Sequence, residues 1–182
     1  PQSADHAIDV VELAVRDRNG DVRNLVIPLI ADPLRLLEIA RKVDDTKTRE
    51  LAFARIKDTD LLARLATGDA DRGIRLAAIH RVRDQSVLST IAKGDAPTDI
   101  RTAAIARLTD PSSIGELALR DPSPQIRWAA VDVMEDQPTI RGIAVSEKIA
   151  HVRGRAVSRL TDQALLSHVA TADLDANGID QD

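Results

Sequence analysis

The chain has 182 residues, a formal net charge of −4, 43% hydrophobic and 30% charged residues. That composition is ordinary for a folded chain, but the acidic balance argues against a protein that holds nucleic acid through a broad basic surface. There is no cysteine, which excludes disulfides, iron–sulfur clusters, thiolate zinc sites and thiol nucleophiles. Aromatics make up 1%, so Ala, Leu, Ile and Val must supply the buried area, which suits thin layers of close-packed helices.

At the N-terminus no basic region precedes an apolar one, so no signal peptide is expected; the absence of an initial Met is compatible with trimming. His6–Arg16 spaces Ile8, Val11 and Val15 as one helix face and reads as a degenerate half-unit closed by the Asn19-Gly20 turn. Residues 1–21 therefore form a partial repeat. The longest apolar run, near Leu25–Ala31, contains Pro28, so no membrane span is expected.

From Val22 a period takes over. Arg23, Arg49, Arg75, Arg101, Arg127 and Arg153 follow one another at steps of 26 residues. Ile100–Asp110, IRTAAIARLTD, is the clearest copy, with IRLAAIHRVRD before it and IRWAAVDVMED after it. Each period holds two helical segments. The first carries the Arg and an apolar stripe such as Ile100, Ala104, Ile105 and Leu108. The second follows an Asp column (Asp32, Asp58, Asp84, Asp110, Asp136, Asp162), and Asp suits a helix N-cap. Pro33 and Pro111 then take the first helical position. Apolar columns beginning at Leu36 and Ile39 follow, and an Ala column begins at Ala40. Gly68 and Gly94 stop two of these helices, and Ser123 is the expected N-cap before Pro124. Pro28 should break the first Arg-bearing helix early, and Thr48 stands where other units have Ile or Val. Residues 22–172 are the array. Residues 173–182 form an acidic tail with Ile179 in the Arg column.

These columns resemble the bacterial HEAT-like short-repeat proteins. The pattern is an Asp turn, [IV]-R-x-x-A-[IV]-x-x-[LIVM], then D-[QP]-x-x-[LI]-x-x-[ILV]-A, over about Val22–Ala172. The resemblance implies an all-α, right-handed α-solenoid of about six HEAT-like two-helix repeats. It also implies that the Asp-capped helix A lies on the convex face and the Arg-bearing helix B on the concave face. Such arrays serve as scaffolds, adaptors and binding surfaces.

Two readings of the Arg column compete. It could be a basic strip for phosphates or an acidic partner. Alternatively Arg23, Arg49, Arg75, Arg101, Arg127 and Arg153 form an internal ladder with backbone carbonyls and with turn acids six positions earlier, Asp17, Asp69, Asp95, Asp121 and Glu147; for Arg49 the aligned residue is Val43, with Asp44 and Asp45 beside it. The column lies roughly 30° from the centre of the apolar stripe, which favours the half-buried, paired ladder. A second lane, Arg55, Arg81, Arg107 and Arg159, is broken by Leu29 and Val133; with His80, Arg83 and Arg155 it is the candidate for an acidic peptide or nucleic acid. The exposed face of helix B carries Leu76, His80, Thr102, Trp128 and Asp132, where the repeat varies and where large apolar groups favour a partner contact. Trp128 and Asp132 also bring to mind HEAT-like DNA glycosylases, but the period, the charge and the scarcity of aromatics count against base stacking. No metal-ligand spacing, phosphate loop, nucleophile elbow or dinucleotide fingerprint occurs.

The expectation is a cytoplasmic, non-enzymatic scaffold without cofactor or metal. It would bind a protein or peptide through Leu76, His80, Arg81, Thr102, Arg107, Trp128, Asp132 and Arg155. The alternative is a nucleic-acid-associated or regulatory module using the broken Arg lane.

Overall fold

The computed structural model describes residues 9–161; the candidate repeat positions beyond Thr161, including Leu166, His168 and the acidic tail, lie outside them, as does His6. The described residues are helical, with no strand among them. The helices are α1 (Val10–Arg16), α2 (Gly20–Val26), α3 (Pro33–Lys42), α4 (Thr46–Ala54), α5 (Thr59–Gly68), α6 (Arg72–Ile79), α7 (Gln85–Lys93), α8 (Thr98–Ile105), α9 (Pro111–Arg120), α10 (Pro124–Val133), α11 (Gln137–Ser146) and α12 (Ala150–Arg159). None is long and apolar enough to cross a membrane. At ten residues or fewer, each would be marginal alone in water, so packing must hold them.

The chain divides into two compact units, residues 1–64 and 65–182, with the division inside α5. In the first unit α1 packs on α2 and α3 on α4, and like helices also meet, α1 with α3 and α2 with α4. In the second unit α7 packs on α8, α9 on α10 and α11 on α12, while α6, α8, α10 and α12 pack in series. Within each unit the Arg-bearing helices thus pack on one another, and α4, α8, α10 and α12 each lie against the Asp-capped helix before them.

The columns read from the sequence are the buried ones. Ala52, Ala78, Ala104, Ala130 and Ala156 are fully enclosed, and so are Ala92, Ala118 and Ala144 in the partner helices. A methyl group there lets two backbones approach where a larger side chain would hold them apart. Between these, Ile79, Leu88, Ile100, Ile105, Ile126 and Ile140 are among the largest fully buried groups, each contributing about 1.5–3 kcal/mol by leaving water.

Local chemistry explains the helix ends. Asp32, Asp58, Asp84 and Asp110 accept from the N–H of Leu34, Leu61, Ser86 and Ser113. Asp136 instead accepts from the Thr139 hydroxyl. Ser123 sits at the N-cap position of α10 but makes no capping bond; its hydroxyl donates to Gln125 Oε1 at 3.0 Å, and Pro124 sets the first turn instead. Pro28 ends α2 at Val26 and turns Ile27–Leu29 into a 3-10 segment, because proline has no N–H for the helical ladder. Thr48 is fully buried. Its hydroxyl lies 3.0 Å from Asn24 Oδ1 and 2.5 Å from Asp45 Oδ2, so this unit satisfies a polar group where the others place Ile or Val.

Candidate interaction surface

The Arg column has a two-sided geometry. Within a unit, the guanidinium donates to the backbone carbonyl six residues earlier. Arg23 reaches Asp17 O at 2.7 Å, Arg49 reaches Val43 O at 2.9 Å, and Arg75 reaches Asp69 O at 2.5 Å. Arg127 reaches Asp121 O at 2.9 Å and Arg153 reaches Glu147 O at 2.7 Å. Arg101 departs, donating from Nε to Ala92 O at 2.7 Å; its helix has Pro97 at the N-cap position. The turn carboxylate is taken by the preceding unit's arginine. Arg101 pairs with Asp121, and Arg127 meets Glu147 at two points, Nε–Oε2 2.9 Å and Nη2–Oε1 3.1 Å. In the first unit Arg23 Nη2 lies 3.6 Å from Asp45 Oδ2.

The other three acids of the column differ. The Asp17 carboxylate accepts from Asn19 N–H and the Asp69 carboxylate from Asp71 N–H, and Asp95 is exposed. Arg49 is exposed, not half-buried as its wheel position suggested. Electrostatics follows the pairing. The Arg127 hydrogen bond holds the Glu147 carboxyl below the usual carboxylate range against the opposing effect of burial.

The second Arg lane also reaches backbone. Arg55 Nη2 donates to Pro28 O at 3.1 Å, Arg107 Nη2 to Val82 O at 3.4 Å, and Arg159 Nη2 to Met134 O at 2.9 Å. Arg81 is not free either. These carbonyls end the preceding Arg-bearing helix, where a cation complements the negative pole. A glutamine returns the contact. Gln85 donates to Arg107 O at 3.3 Å and accepts from Thr109 N–H at 2.8 Å, and Gln137 does the same with Arg159 O at 3.2 Å and Thr161 N–H at 3.1 Å. The lane that breaks at Val133 does so where the preceding Asp is followed by Pro111, not Gln. Sequence reasoning missed this pairing. The signal was a Gln after the Asp, recurring with an Arg 22 residues on.

The exposed face of the Arg-bearing helices holds an open groove of about 480 Å³ over α8, α10 and α12. Its lining falls into pairs of register-equivalent residues: Thr102 with Trp128, Ala106 with Asp132, and Gln125 with His151, completed by Ala129 and Val133. Trp128 is 37% exposed. The Arg155 guanidinium lies 5.1 Å from the centroid of its ring, and Arg155 is also paired with Asp132. One guanidinium thus reaches both the ring and the carboxylate.

Of the residues singled out beforehand, Thr102, Trp128, Asp132 and Arg155 come together at this groove. Leu76 is half-buried and does not stand out from the surface; His80 is exposed beyond the end of α6. Neither lines the groove, and Arg107 and Arg81 are engaged as described. The groove's other walls, Gln125, Ala129, Val133 and His151, were not anticipated. Among the described residues no cluster of three or more His, Asp or Glu is placed to hold a metal. In comparisons with family models, curated proteins and solved structures, nothing matches the chain.

Proposed function

We propose that the protein is a non-catalytic binding module: an α-solenoid of short HEAT-like repeats whose Arg-bearing helices offer a concave face to a protein or peptide partner. The groove beside Trp128 is the observation that carries this reading. A half-exposed Trp braced by Arg155 over Ala and Val side chains has the make-up of an interface anchor. The described carboxylates mostly cap helices, fasten turns or pair with arginines, which fits a scaffold better than an enzyme needing a displaced acid–base pair. A cysteine-free chain suits the reducing cytoplasm. The nucleic-acid alternative has less support, because the second Arg lane is broken at Leu29 and Val133 and the chain carries a net charge of −4, where a continuous basic strip is needed.

The test compares partner capture from a cell extract by the wild-type chain and by Trp128→Ala, followed by hydrogen exchange on the purified complex. The reading expects capture to fall about tenfold or more in the variant, with exchange slowed on α8, α10 and α12. Equal capture by both chains, or slowing confined to the other helices, would refute it.

A further inference from the structure

The groove's surroundings carry information about its occupant that the Trp alone does not. Asp132 is already matched by Arg155, whose guanidinium also covers one face of the Trp128 ring. A cationic side chain from a partner would therefore find its carboxylate taken and its aromatic face shared with a like charge. Arg107 and Arg159 stand differently. Each donates to a backbone carbonyl, which accepts a hydrogen bond without cancelling a charge. Among the described residues, Arg72, Arg101, Arg127 and Arg155 are engaged in ion pairs instead. Both Arg107 and Arg159 are half-buried, with a buried Nε that has no acceptor among the described residues. Each keeps guanidinium donors beyond the single bond it makes.

Position completes the argument. Val133, in the groove wall, occupies the same register as Arg107 and Arg159, one period from each. Since α8, α10 and α12 pack in series, a guanidinium with no ion-pair partner among the described residues stands in that register one helix to either side of the apolar wall. Helices in contact are about 8–10 Å apart, so the two charges are separated by roughly 16–20 Å across two such steps. An extended chain covers that distance in about five residues.

We propose that the groove takes an extended acidic peptide. One large apolar side chain would sit against Trp128 and Val133, and two carboxylates about five residues apart would meet Arg107 and Arg159. This rests on the binding-module reading and adds the chemistry of the partner. The apolar contact supplies the anchor. The two guanidiniums supply polarity and register, and gain carboxylate bonds stronger than the carbonyl bonds they hold alone.

The chain contains one Trp, so its fluorescence reports on the groove directly. Four probes are titrated into the full chain: a short peptide with Leu-Phe between two spaced glutamates, the same peptide with Gln at those positions, the same with Lys, and a short single-stranded DNA. The Glu peptide should shift Trp128 emission and bind at least about tenfold more tightly than the Lys peptide, less so as salt rises. Arg107→Gln with Arg159→Gln should cost about tenfold for the Glu peptide and leave the Gln peptide unchanged. Melting curves of the double variant establish that it is folded, and Arg107→Lys with Arg159→Lys, which keeps the charge, should retain part of the affinity. Equal binding of the Glu, Gln and Lys peptides, all abolished by Trp128→Ala when heat of binding is measured by titration calorimetry, would overturn the acidic partner while sparing the groove. Absence of any peptide response, or tighter binding of DNA than of the Glu peptide, overturns the proposal outright.

Discussion

Arg127 and Glu147 form a two-point ion pair between neighbouring repeats, and the same guanidinium uses its remaining terminal nitrogen on the Asp121 carbonyl. Both side chains are largely buried, at 14% and 12% exposure. One residue thus ties its own turn to its helix and one repeat to the next. Arg127→Gln or Glu147→Gln strands a buried partner, with an expected loss of about 1–3 kcal/mol. For a chain of this size that lowers the melting temperature by roughly 2–4 °C per kcal/mol. Calorimetry on the two variants and their combination checks the coupling: the double variant should lose clearly less than the sum. Strict additivity would mean the pair contributes nothing as a pair.

Acid should attack the same contact. Glu147 is held below its ordinary value of 4.5, so folding stabilises the ionised form. That stability is present in full above 4.5 and is lost as pH falls through the lower folded value. Hydrogen bonds from Thr48, Ser86 and Ser113 depress Asp45, Asp84 and Asp110 in the same direction. Denaturant unfolding across the acid range should therefore show level stability near neutrality and a decline in acid. In Glu147→Gln that decline should be shallower. An unchanged acid limb would show that Glu147 titrates alike in both states.

The Thr48 hydroxyl lies 2.5 Å from Asp45 Oδ2 and 3.0 Å from Asn24 Oδ1, and its single proton goes to the nearer carboxylate. Thr48→Val matches its shape but takes that bond from Asp45, for an expected loss of about 1 kcal/mol. Combined with Asp45→Ala, the loss should be clearly less than the sum of the two single losses, because the two side chains act as a pair. Chemical denaturation of the three variants would decide; strict additivity would contradict the pairing.

The Gln clasps are independent copies of one device. Gln85→Ala and Gln137→Ala each remove a donor and an acceptor from a helix end, so each should cost about 1 kcal/mol. They are distant, so the two losses should add within roughly 0.5 kcal/mol. Thermal melts of the single and double variants test this.

Two helix-interior glycines can be improved. A methyl group at Gly115 in α9 or Gly142 in α11 would meet nothing within 4 Å. Gly115→Ala and Gly142→Ala should each raise stability by about 0.4–1 kcal/mol through the unfolded chain's lost freedom. A lowered melting temperature in either would show that the site is tighter than its geometry.

The lasting division is between what a local rule can decide and what needs a neighbour. The sequence alone determined the period, the two helices per repeat, the buried Ala and Ile columns and the Asp caps. These depend on periodicity and on bonds spanning two or three residues, such as Asp84 to Ser86. It also marked Leu76, His80, Trp128 and Asp132 as departures from the repeat, of which the last two line the groove. Only the tertiary structure decided where each arginine goes. Arg127 has a carbonyl six residues back and a carboxylate 20 residues ahead, and nothing in the local spacing ranks one above the other. The same holds for Arg155, which folds over Trp128 in the neighbouring helix and not along its own, and for the groove walls Gln125 and His151, whose shared register acquires meaning only when α10 and α12 pack together. A charged side chain commits to whichever acceptor stacking brings within about 3 Å, and stacking is a property of the assembled layers.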